Sequence, residues 1–205
     1  MGEALSCPKA DPAMPVMTDP TVDTALAPEP RRRGESYRNV AAIVLALAML
    51  QMAAGALSVV GPLALISGGA STLKIGTIVS GYAFGFLLGA HFAPREIRRI
   101  GHIRAVAAFA GVTSIAAALL YASDALAWWL VMQFIMGVCV AGFLASGESW
   151  VADAAPSDKR GAILSFYLVT AKIGFILGPF LVASVPPGAA VGFMIVAALY
   201  TASLI

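Results

Sequence analysis

From Val40 onward the chain alternates between long apolar runs and short polar joints. Five runs, Val40–Ile66, Ile75–Ala93, Ile103–Ala122, Leu126–Gly147 and Ala162–Ser184, match the roughly 20 residues that a helix needs to cross a hydrocarbon core of about 30 Å. Each predicts a transmembrane helix. A sixth run, Ala189–Ile205, stays apolar to its end at Leu204-Ile205, with no polar flank. Spanning helices usually finish in interfacial or charged residues. The pattern therefore predicts a sixth helix truncated within the membrane and a missing C-terminal half.

Charge sorts the joints into two classes. Lys9, Arg31, Arg32, Arg33 and Arg38 precede the first run, Arg95, Arg98, Arg99 and Arg104 cluster between the second and third, and Lys159-Arg160 separates the fourth from the fifth. The intervening joints, near Ser67–Thr72, Tyr121–Asp124 and Val185–Gly188, have only Lys74 at an edge. Cationic residues near spans are retained on the cytoplasmic side. This asymmetry predicts six crossings with a cytoplasmic N-terminus, and the joint Pro94–Arg104 is its strongest marker. Trp128 and Trp129 open the fourth run, where an outer interfacial belt would lie.

Hydrophobic residues make up 60% of the 205 and charged residues 12%, against about 25% charge in an ordinary soluble domain. That composition favours solvation by lipid over a buried soluble core. Residues 1–38 differ: proline-rich and acidic, without apolar periodicity, they predict a disordered cytoplasmic tail. Residues 39–205 form the predicted bundle. Of the two cysteines, Cys7 falls in the tail and Cys139 in an apolar run, so a disulfide is not expected.

Glycines mark the expected helix contacts. Gly81, Gly85 and Gly89 recur every fourth residue in the second run, and Gly174-x-x-x-Gly178-Pro179 does so in the fifth. Lipid gives helices no hydrophobic drive to associate, so close backbone approach must supply the attraction. The correspondence between the second and fifth runs suggests two inverted three-helix repeats, an architecture used by transporters. Gly61-Pro62 predicts a bend in the outer part of the first helix.

Lys172 is the one formal charge deep within a run. A lysine at mid-span costs roughly 2.5–3.5 kcal/mol on insertion scales, so it should face a watery cavity, an anionic solute or a carboxylate. The alternatives are a structural ion pair or snorkelling. Gln51, Tyr82 and Gln133 are further candidates for a solute cavity, although each could instead cross-link helices. His91 and His102 lie near the basic joint, where a satisfied polar role is favoured over a proton relay.

No phosphate-cradling loop, metal-ligand cluster or Ser-His-Asp grouping is present in the sequence. An enzyme is not expected, nor any cofactor, metal or nucleic-acid partner. Expected partners are the lipid bilayer, a small-molecule solute, protons or another coupling ion, and the missing C-terminal half.

The chain from Val40 onward resembles the major facilitator superfamily. The carrying residues are Arg99 and Gly101 in the basic joint, Gly137 in the fourth run, Glu148, Pro156 and Arg160-Gly161 beyond it, and Gly174, Gly178 and Pro179 in the fifth. Gly101-His102-Ile103-Arg104 and Glu148-Ser149-Trp150 are similar to a YcaD-like bacterial subgroup. Arg98 stands where the family has an acid, and Gln133 where it often has arginine. The resemblance implies an all-α polytopic membrane bundle, six helices forming half of a twelve-helix secondary transporter in the bacterial inner membrane. It implies gradient-driven efflux or uptake by alternating access, with Lys172, Gln51, Tyr82 and Gln133 toward the cavity. Arg98, Arg99, Gly101, Arg104, Glu148 and Arg160 would form a cytoplasmic latch. The departures from the motifs motivate the alternative, a non-transporting polytopic protein or degenerate half-transporter.

Overall fold

The computed structural model describes residues 33–155 and 159–204. Residues 1–32, most of the expected tail, lie outside the described residues, as do Pro156 and Asp158 in the fourth joint. The described chain is helical: α1 (Arg33–Ser67), α2 (Thr72–Ile100), α3 (His102–Leu119), α4 (Leu126–Ala154), α5 (Arg160–Val182) and α6 (Ala190–Ala202), with a 3₁₀ turn at Leu120–Ala122. The first five are long and apolar enough to cross a membrane; α6 has 13 residues.

The helices outrun the apolar runs that predict them. α1 begins at Arg33, so residues 33–38 are helical although the sequence reading put them in the tail. The basic joint is almost entirely helix as well: α2 continues through Pro94 to Ile100, and α3 restarts at His102. Gly101 alone makes the turn, at φ 84°. A side chain there would collide with its own backbone, which is why this position uses glycine. Polarity ends the membrane-embedded part of a helix but not the hydrogen-bonded helix itself, because arginine is a good helix former.

Packing follows the glycines. On α2, Ile78, Gly85, Gly89, Ala93 and Ile97 are buried, and these fall on one helical face. A Cβ built on Gly85 would meet the Phe134 carbonyl oxygen of α4, and one on Gly89 the Val138 carbonyl. In return, Gly137 of α4 lies on the Tyr82 carbonyl. The same arrangement joins α5 to α1: Gly174 faces the backbone of Ala48, Gly178 that of Met52 and Ala56, and Gly55 the Phe175 carbonyl. α1 and α4 are the inner members of these pairs, with 50% and 56% of their apolar windows buried, against 22% and 17% for α5 and α2.

α3 packs on α4 and α6, and α6 packs on α1, where Gly192 meets the Val60 side chain. Exchanging the first three helices for the last three converts α1–α5 into α4–α2 and α3–α4 into α6–α1, and leaves α3–α6 unchanged. The contact pattern survives the exchange. Because three crossings separate equivalent helices, each member of a pair runs opposite to its counterpart, so the two three-helix repeats are inverted. Polar side chains add to the α3–α6 seam: Ser114 Oγ donates to the Ala197 carbonyl at 2.9 Å and lies 2.8 Å from Thr201 Oγ1.

Trp128 and Trp129 also have a structural role. Both ring nitrogens close the α3–α4 connection, donating to the Leu119 carbonyl at 2.7 Å and the Ser123 carbonyl at 3.0 Å. Trp129 is buried and stacks edge-on to Phe193, with centroids 5.9 Å apart. An indole needs both apolar burial and a hydrogen-bond acceptor, and this corner supplies the two together.

Candidate functional site: a cavity among α1, α2, α4 and α5

A cavity of 360 Å³ opens beside the two glycine crossings. α1 contributes Ala54, Leu57, Ser58 and Pro62; α2 gives Val79 and Tyr82, α4 Gln133, α5 Phe175, and α6 reaches in with Tyr200. Close backbone approach at Gly55 and Gly178, and at Gly85 and Gly137, draws the four long helices together and fixes the wall positions. No Asp, Glu, Lys, Arg or His stands in the lining.

Two predicted residues, Tyr82 and Gln133, are thus brought to one cavity. The Gln133 Oε1 atom is buried and has no hydrogen-bond partner among the described residues. A buried carbonyl left without a donor costs about 1–3 kcal/mol, so such an atom in a native bundle calls for an explanation. Gln51 is half-buried on α1 and outside the lining. Lys172 is exposed on α5, away from the buried face that carries Gly174 and Gly178. It is not in the lining either, but it precedes Phe175 by three residues and therefore neighbours it on the helix surface.

Periodicity and polarity do not single out Ser58, Phe175 or Tyr200, and they give Pro62 a bend but no place in a cavity wall. Nothing in an apolar run distinguishes a tyrosine aimed at a cavity from one in the core. The Tyr200 side chain is 1% exposed and sits between the two environments.

A profile of the Major Facilitator Superfamily matches residues 43–205. The chain belongs to the major facilitator superfamily. Among curated proteins, it is 28% identical over 156 residues to the uncharacterized MFS-type transporter YcaD of Salmonella arizonae, and equally to YcaD of Salmonella newport. Each alignment covers 72% of this chain and 39% of the relative, so the chain spans well under half the length of these proteins. The inverted repeats and the membrane-spanning helices are those of this superfamily, and the chain is a multi-pass membrane protein.

The residues expected for the latch lie at the basic end, and among the described residues none forms an ion pair with another. Arg98 and Arg99 lie in the last turn of α2, and Arg104 follows Gly101 in the first turn of α3. Among the described residues, Arg99 pairs with Glu96, at 3.6 Å on an exposed surface. Arg160 donates from Nε to the Ala152 carbonyl at 2.7 Å and approaches Asp153 at 4.0 Å, tying the start of α5 to the end of α4. Glu148 accepts from the hydroxyl of buried Tyr167 at 3.2 Å. Among the described residues, no ion pair links Glu148 to any of these arginines. His102 Nδ1 lies 3.3 Å from Ser149 Oγ, joining α3 to α4. Periodicity could not foresee this contact, since it depends on α4 continuing as helix past Gly147.

Cys139 is buried and unpaired by disulfide. Among the described residues, no group of three His, Cys, Asp or Glu is arranged to hold a metal ion.

Proposed function

We propose that this chain forms the N-terminal half of a secondary active transporter in the bacterial inner membrane, with its N-terminus in the cytoplasm. It carries a small solute by alternating access, driven by a proton or other ion gradient. The observation that carries this reading is the cavity itself, which four long helices and Tyr200 enclose and which Gln133, Ser58, Tyr82 and Tyr200 line with polar groups. Apolar cavities of this size with few convergent polar groups bind small molecules. The excess of cations at the end bearing the α2–α3 turn supports the orientation.

Lys172, exposed on α5 and three residues before Phe175, is available to solute, a coupling ion or the facing half, and Gln51 falls on the same face of α1 as Ala54, Ser58 and Pro62. Arg98, Arg99, Gly101, Arg104, Glu148 and Arg160 form the latch surface at the cytoplasmic end. The latch works through helix ends and backbone capping within this half, leaving the exposed arginines to engage the facing half.

Cells overproducing the full-length gene product, compared with cells lacking it, test the reading by accumulation and growth across a panel of toxic small solutes. At least one solute should change its accumulation severalfold, and Gln133→Ala and Lys172→Ala should reduce that change. Equal accumulation of every solute in the two strains would overturn transport.

A further inference from the structure

The contacts align the two inverted repeats residue by residue. Gly174 on Ala48 matches Gly81 on Leu130, Gly178 on Met52 matches Gly85 on Phe134, and Gly55 on Phe175 matches Gly137 on Tyr82. One register serves all three. Ala48, Met52 and Gly55 of α1 are spaced as Leu130, Phe134 and Gly137 of α4 are, and Gly174, Phe175 and Gly178 of α5 as Gly81, Tyr82 and Gly85 of α2. A fourth pair of contacts obeys it too: Val60 of α1 meets Gly192 of α6, and Gly142 of α4 meets Phe109 of α3.

In this register Gln51, next to Met52, is the counterpart of Gln133, next to Phe134. Lys172, two residues before Gly174, is the counterpart of Val79, two before Gly81. Burial agrees, since both glutamines are half-buried and both Lys172 and Val79 are exposed. Tyr82 and Phe175 are counterparts of each other, and both line the cavity. The cavity thus straddles the relation between the repeats without obeying it: Gln133 and Val79 stand in the wall, whereas Gln51 and Lys172 do not.

Helix cross-linking does not account for the amide, because Gln133 Oε1 has no hydrogen-bond partner among the described residues. A polar side chain within a span is costly to insert, and here the same amide occurs at the same position of both repeats. Two segments that share a packing register can each take up the arrangement of the other, which gives the bundle a second state related to this one by exchange. Tyr82 and Phe175 stay in the wall in both states. The repeats run in opposite directions, so the exchanged wall faces the opposite side of the membrane. Resting on the transport reading, we infer that Gln51 and Lys172 are the solute-facing residues of the opposite-facing state, in the places that Gln133 and Val79 hold here.

The test uses the full-length protein in a cysteine-free background, in membrane vesicles of both orientations, with a membrane-impermeant maleimide as the probe. Single variants Gln133→Cys, Val79→Cys, Gln51→Cys and Lys172→Cys are labelled from each face. The first two should react about tenfold faster from one face, and the last two about tenfold faster from the other. In the double variant Gln51→Cys/Gln133→Cys, blocking the cysteine at 133 with a bulky maleimide should slow labelling at 51 from the opposite face by about tenfold, because the two states exclude each other. Val79 and Lys172 are exposed, so their variants keep the test intact if a glutamine variant fails to fold. Labelling of all positions from one face would overturn the inference. So would failure of either pair to react from any face, or a rate at 51 that ignores the block at 133. Transport without this opposed labelling refutes the inference alone, and opposed labelling in a protein that moves no solute refutes transport alone.

Discussion

Gly85 of α2 packs its α-carbon directly on the backbone carbonyl of Phe134 in α4, leaving no volume for a side chain. The relationship turns a sequence feature, glycine at four-residue spacing, into an energetic constraint: the helices associate because their backbones touch. Gly85→Leu should separate α2 from α4 and lower stability by about 1–3 kcal/mol through overpacking. The measurement is the thermal unfolding of detergent-solubilised full-length protein. Gly76→Ala, on the same helix with open space around it, should be neutral or slightly stabilising, by about 0.5–1 kcal/mol.

The two glycines of the basic end should respond differently. Gly101 holds φ 84° between α2 and α3, so Gly101→Ala should cost about 1–2 kcal/mol even though nothing crowds the site. Gly161, also uncrowded, sits in the first turn of α5, and Gly161→Ala should leave unfolding unchanged or shift it upward. Paired melting curves of the two variants check the contrast.

Tyr167 is buried while its partner Glu148 reaches solvent, so their hydrogen bond marks where the bundle interior meets the basic surface. Tyr167→Phe keeps the ring and deletes only the donor. It should destabilise by about 1 kcal/mol, and Glu148→Gln, which retains an acceptor, by less. If the pair also forms part of the latch, transport by Tyr167→Phe should change at a temperature where the variant is fully folded.

Ser114 is the polar link between α3 and α6. Ser114→Ala should cost about 0.6 kcal/mol, the typical value of an interhelical hydrogen bond within a membrane. Hydrogen exchange of the α6 amides should rise more than that of the α2 amides, since α2 has no side chain in this hydrogen-bonded link.

The approximate positions of the helices could be read from the sequence because the thickness of hydrocarbon dictates the length of apolar runs. The glycine rows were legible for a similar reason: close helix approach requires small residues, whatever the partner. Helix ends were less so. Polarity ends the apolar runs, but Arg95–Ile100 and Glu148–Ala154 continue as helix beyond them. Tyr82 and Gln133 stood out as polar residues in apolar runs, whereas Phe175 and Tyr200 did not, because their rings are equally at home in a core.

By itself, the sequence determined an all-helical membrane protein, its superfamily and the residues available for close packing. Only the tertiary structure decided partners: Gly85 with Phe134, Gly178 with Met52, and Gln133 in the same cavity as Ser58 and Tyr200. The physical reason is range. Hydropathy and helical periodicity act within a single segment, but a cavity wall is assembled from residues far apart in the chain, and their meeting depends on how whole helices cross.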